Sequence, residues 1–436
     1  MVLRAMYSGV SGLRAEGEAL GVVGDNIANV NTTGFKAQRA LFQDVLGHSI
    51  LAGTSSSLPG SGVRVGDIQQ MFTQGTLQNT GVSTDVALNG DGFFVVQGTV
   101  DGLDANFYTR AGTFVIDREG FLTNTDGLKV QGYAANGDGT FAASISDVQA
   151  PTAALPARAT TEMNVTANLD ATSTNLGALV PAVAWDLQDP ANTANFSTTM
   201  TVYDSLGTGH AVDVYFRKTA DNAWEYHAIA DGSEITGGVA GTNIELGTGT
   251  MDFTTDGALN TVGNLDITGN FAGGATQGQV ITLNFGTAIA DGGTGLDGTT
   301  QFGSPSNVSS QDQDGYSSGD FSGVAIDGTG VVQGLYTNGQ KVAMAQLAIA
   351  KFRSNDGLGR AGQNLWIETR ESGTAAMGTA GSGGRGATSA GTLEGSNVDL
   401  AEEFVGLIQH QRSFSANSKT ITTADEMLQE LINIKR

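Results

Sequence analysis

Apolar positions at both ends of the chain recur in alternating steps of three and four residues, a pattern typical of a helix that packs along one stripe. Near the N-terminus the stripe comprises Leu3, Met6, Val10, Leu13, Gly17, Leu20, Gly24 and Ile27. Near the C-terminus it comprises Leu400, Phe404, Leu407, Gln411, Phe414, Ile421, Leu428 and Ile432. We predict that both stripes are assembly interfaces on helices within residues 1–30 and 396–436, which pair as a coiled coil and contact neighbouring copies.

Glycine occupies two positions of the first stripe, Gly17 and Gly24. Each glycine costs a helix about 1 kcal/mol, but it allows a partner backbone to approach closely. Ser396 or Asn397 is predicted to cap the second helix. Each stripe is too narrow to be stable alone, so we expect the helices to order on assembly. The alternative is that both helices pack on the central body.

The segment after the first helix is polar and rich in turn-forming residues. It contains Asn31-Thr-Thr-Gly34 and, further on, Gly53-Thr-Ser-Ser-Ser57. Such composition is typical of loops, and loops of this length are uncommon unless they have a function. We predict that residues 31–69 are a linker.

Short apolar runs fill the middle of the chain, among them Phe93–Val96, Phe107–Thr109 and Phe114–Ile116. Turns rich in Gly, Asp and Asn separate them, which predicts antiparallel hairpins rather than alternating strands and helices. We therefore predict a mainly β chain with α-helical termini and nested, discontinuous domains. Residues 70–150 and 307–395 form one antiparallel β-domain, and a second antiparallel β-domain, residues 151–306, is inserted in it.

The chain has 436 residues, no cysteine and a formal charge of −23. The charge is concentrated between residues 151 and 320, which contain 19 acidic and three basic residues. We interpret the inserted domain as an acidic, solvent-exposed module. A chain this acidic repels nucleic acid, which we exclude as a partner. We expect no membrane insertion, because no run approaches the ~18 apolar residues of a membrane span.

Motifs for catalysis or metal binding do not stand out. Thiolate sites are excluded by the lack of cysteine, and the four histidines are scattered. Gly292–Asp297 and Asp312–Gly315 resemble fragments of calcium loops, but the first occurs once and the second has Phe321 where the closing Glu belongs. We interpret them as a Gly-rich loop and a tight turn, and we place His410 on the surface. We predict no catalytic, metal or cofactor-binding residues, no cofactor and no enzyme activity.

The N-terminus carries neither the apolar core nor the cleavage site of a secretory signal peptide. We therefore expect the chain to remain in the cytoplasm or to leave it by a route that removes no peptide.

Several runs resemble signatures of the bacterial flagellar rod and hook proteins. The most specific positions lie after the first helix stripe and before the second, and they are Asn26, Asn29, Asn31, Thr33, Gly34, Phe35, Asn397 and Asp399. Tyr108–Gly112 with Asp117–Gly120 resembles the β-domain that the family shares. Three further runs favour the hook branch over the rod branch, namely Thr201–Gly207, Tyr336–Gln340 and Asn364–Trp366.

The resemblance implies a structural subunit that polymerises helically into a flexible curved tube. Such a tube is a universal joint that transmits torque from rod to filament and carries the export channel. The implied location is extracellular, in the flagellar basal body and hook, after export by the flagellar type III apparatus. The implied partners are further copies of the chain and the rod, hook cap and hook–filament junction proteins.

Two alternatives stay open at this point. The first is a distal rod subunit of the same family, which would form a straight tube. The second is a secreted calcium-dependent β-rich adhesin. An enzyme ranks below both, because no residues converge on a site.

Overall fold

Long helices begin and end the chain in a computed structural model, which describes residues 2–46, 60–137, 139–151, 153–179 and 182–434. The helices are α1 (Val2–Ala28), α2 (Pro190–Thr193) and α3 (Leu400–Ile434), and 3₁₀ turns lie at Gly232–Glu234 and Ile289–Asp291. The strands before α2 are β1 (Gln38–Leu46), β2 (Gly60–Gln70), β3 (Leu77–Asn79), β4 (Val86–Asn89), β5 (Phe93–Val100), β6 (Leu103–Thr109), β7 (Phe114–Ile116), β8 (Leu122–Asn124), β9 (Lys129–Ala135), β10 (Phe141–Asp147) and β11 (Glu162–Asp170).

The strands between α2 and α3 complete the β-structure. The first nine are β12 (Phe196–Tyr203), β13 (Gly209–Ala220), β14 (Ala223–Asp231), β15 (Asn243–Phe253), β16 (Leu259–Gly263), β17 (Asp266–Gly269), β18 (Gln279–Asn284), β19 (Thr300–Phe302) and β20 (Asn307–Gln313). The last nine are β21 (Phe321–Ile326), β22 (Val331–Tyr336), β23 (Lys341–Leu347), β24 (Ile349–Lys351), β25 (Gly359–Gly362), β26 (Leu365–Ile367), β27 (Ala376–Gly378), β28 (Ala387–Ala390) and β29 (Thr392–Glu394). The described helices include none long and apolar enough to cross a membrane.

The chain divides into two compact units. Unit 1 comprises Met1–Thr152, Ser322–Leu335 and Lys341–Arg436. Unit 2 comprises Ala153–Phe321 and Tyr336–Gln340. Long helices lie at the two ends and strands make up most of the structure between them, so the predicted mainly β class with terminal helices is confirmed.

Unit 1 combines the two long helices with a 13-stranded sheet whose main path runs β21-β22-β23-β9-β5-β6-β26-β25. One apolar cluster of this sheet contains Phe93, Tyr108, Phe352 and Trp366, all buried. Tyr108 meets the Phe352 ring edge-on at 4.7 Å between centroids, an arrangement that adds to burial. A separate antiparallel pair, the β1–β2 ribbon, lies beside α1.

Unit 2 contains two five-stranded sheets around a shared core. Strands β12 to β16 follow one another in an antiparallel meander, and β11 pairs with β18 and β19 in parallel and with β20 antiparallel. Trp224 is buried in the core and donates its indole N–H to Gln301 Oε1 at 2.7 Å.

The basic residues of unit 2 are mostly withdrawn from its surface. Arg217 and Lys218 are buried. The Arg158 guanidinium is exposed but pairs with Asp314 at 2.9 Å. Every ionisable residue of unit 2 lies within the described ranges, so its accessible charge is almost entirely negative.

Three features differ from the sequence prediction. The inserted domain is not purely antiparallel, because β11 pairs in parallel with β18 and β19. Much of the 31–69 linker is strand, because β1 and β2 pair antiparallel from Gln38↔Gln70 onward. Residues 47–59, which include Gly53–Ser57, lie outside the described residues. The return to the first β-domain was predicted at residue 307, but Asn307–Gln313 pairs with Glu162–Asp170. Unit 2 therefore continues to Phe321.

Candidate assembly site

A buried carboxylate joins three distant parts of unit 1. Glu394 accepts the Lys36 ammonium at 2.6 Å and the Arg110 guanidinium at 3.1 Å, and none of these side chains is more than 5% exposed. Glu394 Oε1 also accepts the backbone N–H of Gly75 at 2.9 Å. Burial lowers the pKa of both Lys36 and Arg110, and the Glu394 charge opposes that effect. We call Lys36, Arg110 and Glu394 the buried triad.

The turn after α1 is held against the triad by its backbone. The Gly34 N–H donates to the Glu394 carbonyl at 2.7 Å. Gly34 has φ +70°, and a Cβ there would lie 2.6 Å from the Ala111 nitrogen. Only glycine combines that conformation with such a close approach. The side chain of Phe35 is buried directly after this turn.

Two asparagines fasten the ends of the helices to the ribbon. Asn26 donates to the Gln38 carbonyl at 2.7 Å and to Glu403 Oε1 at 2.8 Å, and it accepts the Gln38 N–H at 2.9 Å. Asn397 accepts the Ala37 N–H at 2.7 Å and donates to the Met71 carbonyl at 2.7 Å. These bonds join the β1–β2 ribbon to both helices.

The N-cap of α3 differs from the prediction. Asp399 accepts the Ala401 N–H at 2.8 Å and the Glu402 N–H at 3.3 Å, so Asp399 caps the helix. Neither Ser396 nor Asn397 does so, because the Asn397 side chain is engaged by the ribbon.

Polar residues dominate the contact between α1 and α3, which run antiparallel. The contacting positions of α3 repeat every seven residues, as Glu403, His410, Asn417 and Ala424. His410 Nδ1 lies 2.7 Å from Glu16 Oε2, and its ring stacks on Phe42 at 6.1 Å. His410 therefore joins three elements, and because its side chain is 25% exposed, the prediction of a surface position holds only in part.

Small residues of α1 allow this close contact. A Cβ on Gly12 would lie 2.6 Å from Asn417 Nδ2, and one on Gly9 would lie 2.9 Å from Ile421 Cγ1. Ala19 is buried on the same helix and lines a pocket together with Glu403 and His410 of α3. By contrast, no described atom comes within 4 Å of a Cβ placed on Gly17 or Gly24. The close approach inside one chain thus uses different glycines from those in the predicted stripe.

The opposite side of α3 exposes large apolar side chains. Phe404 is 51% exposed, Val405 66% and Ile408 49%. We call these three residues the α3 patch. Exposed apolar residues on adjacent turns of one helix indicate a surface that a partner covers.

The described residues include no group of three or more His, Asp or Glu side chains suited to a metal ion. In the calcium-like segment, the Asp314 carboxylate is fully engaged, since it accepts from Thr161, Glu162 and Arg158. The tight-turn prediction is wrong for the first half of this segment, because Asp312 and Gln313 belong to β20 and pair with β11.

Four family models match both ends and the middle of the chain. The Flagella basal body rod protein model matches residues 6–36, and the Flagellar hook protein FlgE/F/G D1 domain matches 87–173. The Flagellar basal body protein FlaE D2 domain matches 168–316, and the Flagellar basal body rod FlgEFG protein C-terminal model matches 389–434.

Full-length relatives decide between the branches. Flagellar hook protein FlgE of Salmonella typhimurium is 36% identical over 98% of both chains. The hook proteins of Treponema pallidum and Escherichia coli are 34% and 35% identical, and the alignments cover at least 99% of this chain and all of each relative. The chain belongs to the flagellar hook protein family. Family membership makes it a structural subunit of the flagellar hook.

The hook-family positions named from the sequence cluster around the triad and the helix ends. Asn26, Gly34, Phe35, Asn397 and Asp399 have the roles given above. Asn29 accepts Thr32 Oγ1 at 3.1 Å, and the Thr33 carbonyl accepts Asn364 at 3.1 Å. Asn31 is exposed.

The assignment of the two apolar stripes as assembly interfaces stays a prediction. Ile421 packs against Gly9 within the chain, whereas Leu400, Phe404 and Phe414 are exposed. Gln411 is also exposed, while Leu407 and Leu428 are half-buried. On α1, Met6, Val10, Leu13, Leu20 and Ile27 are half-buried. The side chains of Leu3 and Ile432 are not among those that the structure describes.

The sequence analysis missed the central residue of this site, Glu394, and two members of the α3 patch. No charge pattern near Glu394 indicates that Lys36 and Arg110 meet there. Val405 and Ile408 did carry a signal, because they lie three residues apart on one face of a helix.

Replacing Glu394 by Gln should cost about 3–5 kcal/mol of the unfolding free energy of unit 1, because two buried cations would remain together. Lys36→Met should lower the unfolding free energy less, since the charges of Arg110 and Glu394 still neutralise each other. Urea unfolding of the full chain measures both changes. The exposed Glu119→Gln is the control and should stay within ~0.5 kcal/mol. Equal destabilisation by the two triad variants would contradict the charge-balance argument.

Gly12→Leu should separate α1 from α3 and lower the melting temperature of the helical signal in circular dichroism. Asn417 occupies the space that the new side chain needs. Gly17→Leu is the matched control, because it faces open space and removes a helix-destabilising glycine. We call the contact between α1 and α3 the seam. The assignment of Gly12 to the seam is wrong if both variants have the same melting temperature.

Glu403→Gln should stabilise the helix pair at neutral pH. Burial raises the pKa of the Glu403 carboxyl, although the Asn26 hydrogen bond opposes the shift. A raised pKa contributes stability that is complete below the unfolded pKa and is lost as pH rises through the folded pKa. The variant's advantage should therefore vanish below about pH 4.3, the usual Glu pKa. Melting curves across pH test this, with the exposed Glu426→Gln as control; an advantage that persists in acid would contradict it.

Proposed function

We propose that the chain polymerises helically through its terminal helices into a flexible curved tube, which joins rod to filament and passes torque. The α3 patch is the observation that carries this proposal. Three large apolar side chains on one helix face need a cover, and a structural protein that repeats along a tube supplies it as the next copy.

The weak helix pair supports coupling of folding to assembly. Its seam contains Glu403, His410 and Asn417 where an apolar coiled coil has aliphatic residues. Such a seam fixes alignment at the expense of stability. The free chain therefore keeps its helices only marginally ordered, and incorporation into the tube completes them. The paired helices form the inner wall around the export channel.

Unit 2 supplies contacts at larger radius. Its β13 runs from a turn that exposes Leu206, which is 59% exposed, to a turn at Asn222. The Asn222 end lies beside Gln301, and Phe302 next to it is 45% exposed. Opposite ends with apolar residues suit a head-to-tail contact between copies. Each contact is small, so registers of similar energy can exchange during bending.

The implied partners follow from this position. They are further copies of the chain, the rod below, the cap and junction proteins above, and the flagellar type III export apparatus. The location is outside the cell.

Placing Asp at both Val405 and Ile408 should abolish tubes while leaving the β-structure folded. Negative-stain microscopy of concentrated protein detects the tubes, and circular dichroism reports the strands. The threshold concentration for tubes should rise about tenfold for each ~1.4 kcal/mol by which the substitutions weaken the interface. Thr422→Asp is the control, on the polar continuation of the same face.

A variant lacking residues 1–30 and 396–436 should also form no tubes. Tubes from that variant, or from the Asp variant at the normal threshold, would overturn the proposal. Straight tubes from the unaltered chain would favour a rod subunit. Stabilisation by calcium would favour an adhesin.

A further inference from the structure

A groove in unit 1 has no role in the contacts described above. It lies between α1 and the β1–β2 ribbon, has a volume of about 440 Å³ and is lined by Val10, Val45, Val63 and Val65 among others. The ribbon is pinned to α1 beside it, where the Val63 N–H donates to Ser11 Oγ at 3.2 Å. The groove is therefore preformed.

The groove and the α3 patch face away from each other within one chain. On α1 the midpoint of the groove residues Val10 and Arg14 lies about 150° around the helix from the midpoint of the seam residues Gly9 and Gly12, given about 100° per residue. On α3 the patch likewise lies opposite Glu403 and its seam. A chain cannot fill its own groove with its own patch.

The charges beside the two surfaces are complementary. Arg14, Arg64 and Glu18 line the groove, and all three are exposed. Glu402 and Arg412 flank the patch and are exposed as well. Glu402 can meet the groove arginines, and Arg412 can meet Glu18. Opposite charges around an apolar contact fix its register.

We propose that the α3 patch of one copy docks into the α1–ribbon groove of the next copy. This inference rests on the proposed function and names the surface that covers the patch. Because the two surfaces differ, the contact is heterologous and extends without closing on itself, as a helical polymer requires.

The lack of cysteine in the chain makes cross-linking a direct test. A chain with both Val65→Cys and Ile408→Cys should give a ladder of disulfide-linked oligomers after mild oxidation of the tubes. Chains with either cysteine alone should give none, but a mixture of the two should give dimers. Val65→Cys with Thr422→Cys is the matched control, because Thr422 lies on the same face beyond the patch.

Charge reversal tests the register independently. Glu402→Arg should raise the threshold concentration for tubes about tenfold. Arg64→Glu in the same chain should restore it. If Glu402→Arg acted only by destabilising the first turn of α3, Arg64→Glu would not lower the threshold concentration again, and that result would contradict the docking.

The outcomes separate the two proposals. Tubes that form without the 65–408 cross-link, or with equal 65–422 cross-linking, overturn the docking but leave the proposed function intact. An unaltered chain that forms no tubes contradicts the proposed function. Oxidation of concentrated soluble chains then decides the docking by the presence or absence of 65–408 dimers.

Discussion

Burial of one carboxylate constrains unit 1. Glu394 compensates two buried cations, Lys36 from the turn after α1 and Arg110 from the β-domain. A desolvated charge is costly unless it is paired and hydrogen-bonded, so both cations depend on Glu394. The segments before and after the β-structure are thereby brought to one point. The end of α1 and the beginning of α3 therefore lie close together, although most of the chain separates them in sequence.

The contrast between this point and the helix seam explains how one chain can be both stable and ready to assemble. Around the triad, Lys36 also donates to the Thr73 carbonyl and Arg110 to the Gly90 carbonyl, both at 2.8 Å, and Phe35 is buried. A few turns away, α1 and α3 meet through Asn26, Glu403, His410 and Glu16, with glycines instead of large apolar side chains. Phe404, Val405 and Ile408 of α3 lie outside that contact, whereas Ile421 packs inside it. The helix pair is aligned by contacts within its own chain, and in the proposed tube other copies stabilise it.

Periodicity predicted the elements well and their faces less well. The helices and most strands follow from local pattern, because steps of 3.6 and 2 residues are properties of the backbone. The face of α3 that contacts α1 was not predicted, because Glu403, His410 and Asn417 are polar and a search for hydrophobic periodicity does not select them. The β1–β2 ribbon was missed because turn-forming residues surround it. Glu394 was beyond prediction, because its partners are hundreds of residues away and only the tertiary fold brings them together. The family motif did locate Gly34 and Asn397, for which the structure supplies the physical reason.

The surface of unit 2 has a mechanical consequence. Among the described residues of unit 2, Arg158 is the only exposed basic side chain and it is already paired, so the surface of the unit is almost purely negative. Where a tube curves, copies on the concave side are pushed together and those on the convex side move apart. Like charges resist the first motion over a range of about 8–10 Å at moderate ionic strength. In the proposed tube, unit 2 thus behaves as an electrostatic spring, whose stiffness the surrounding salt sets.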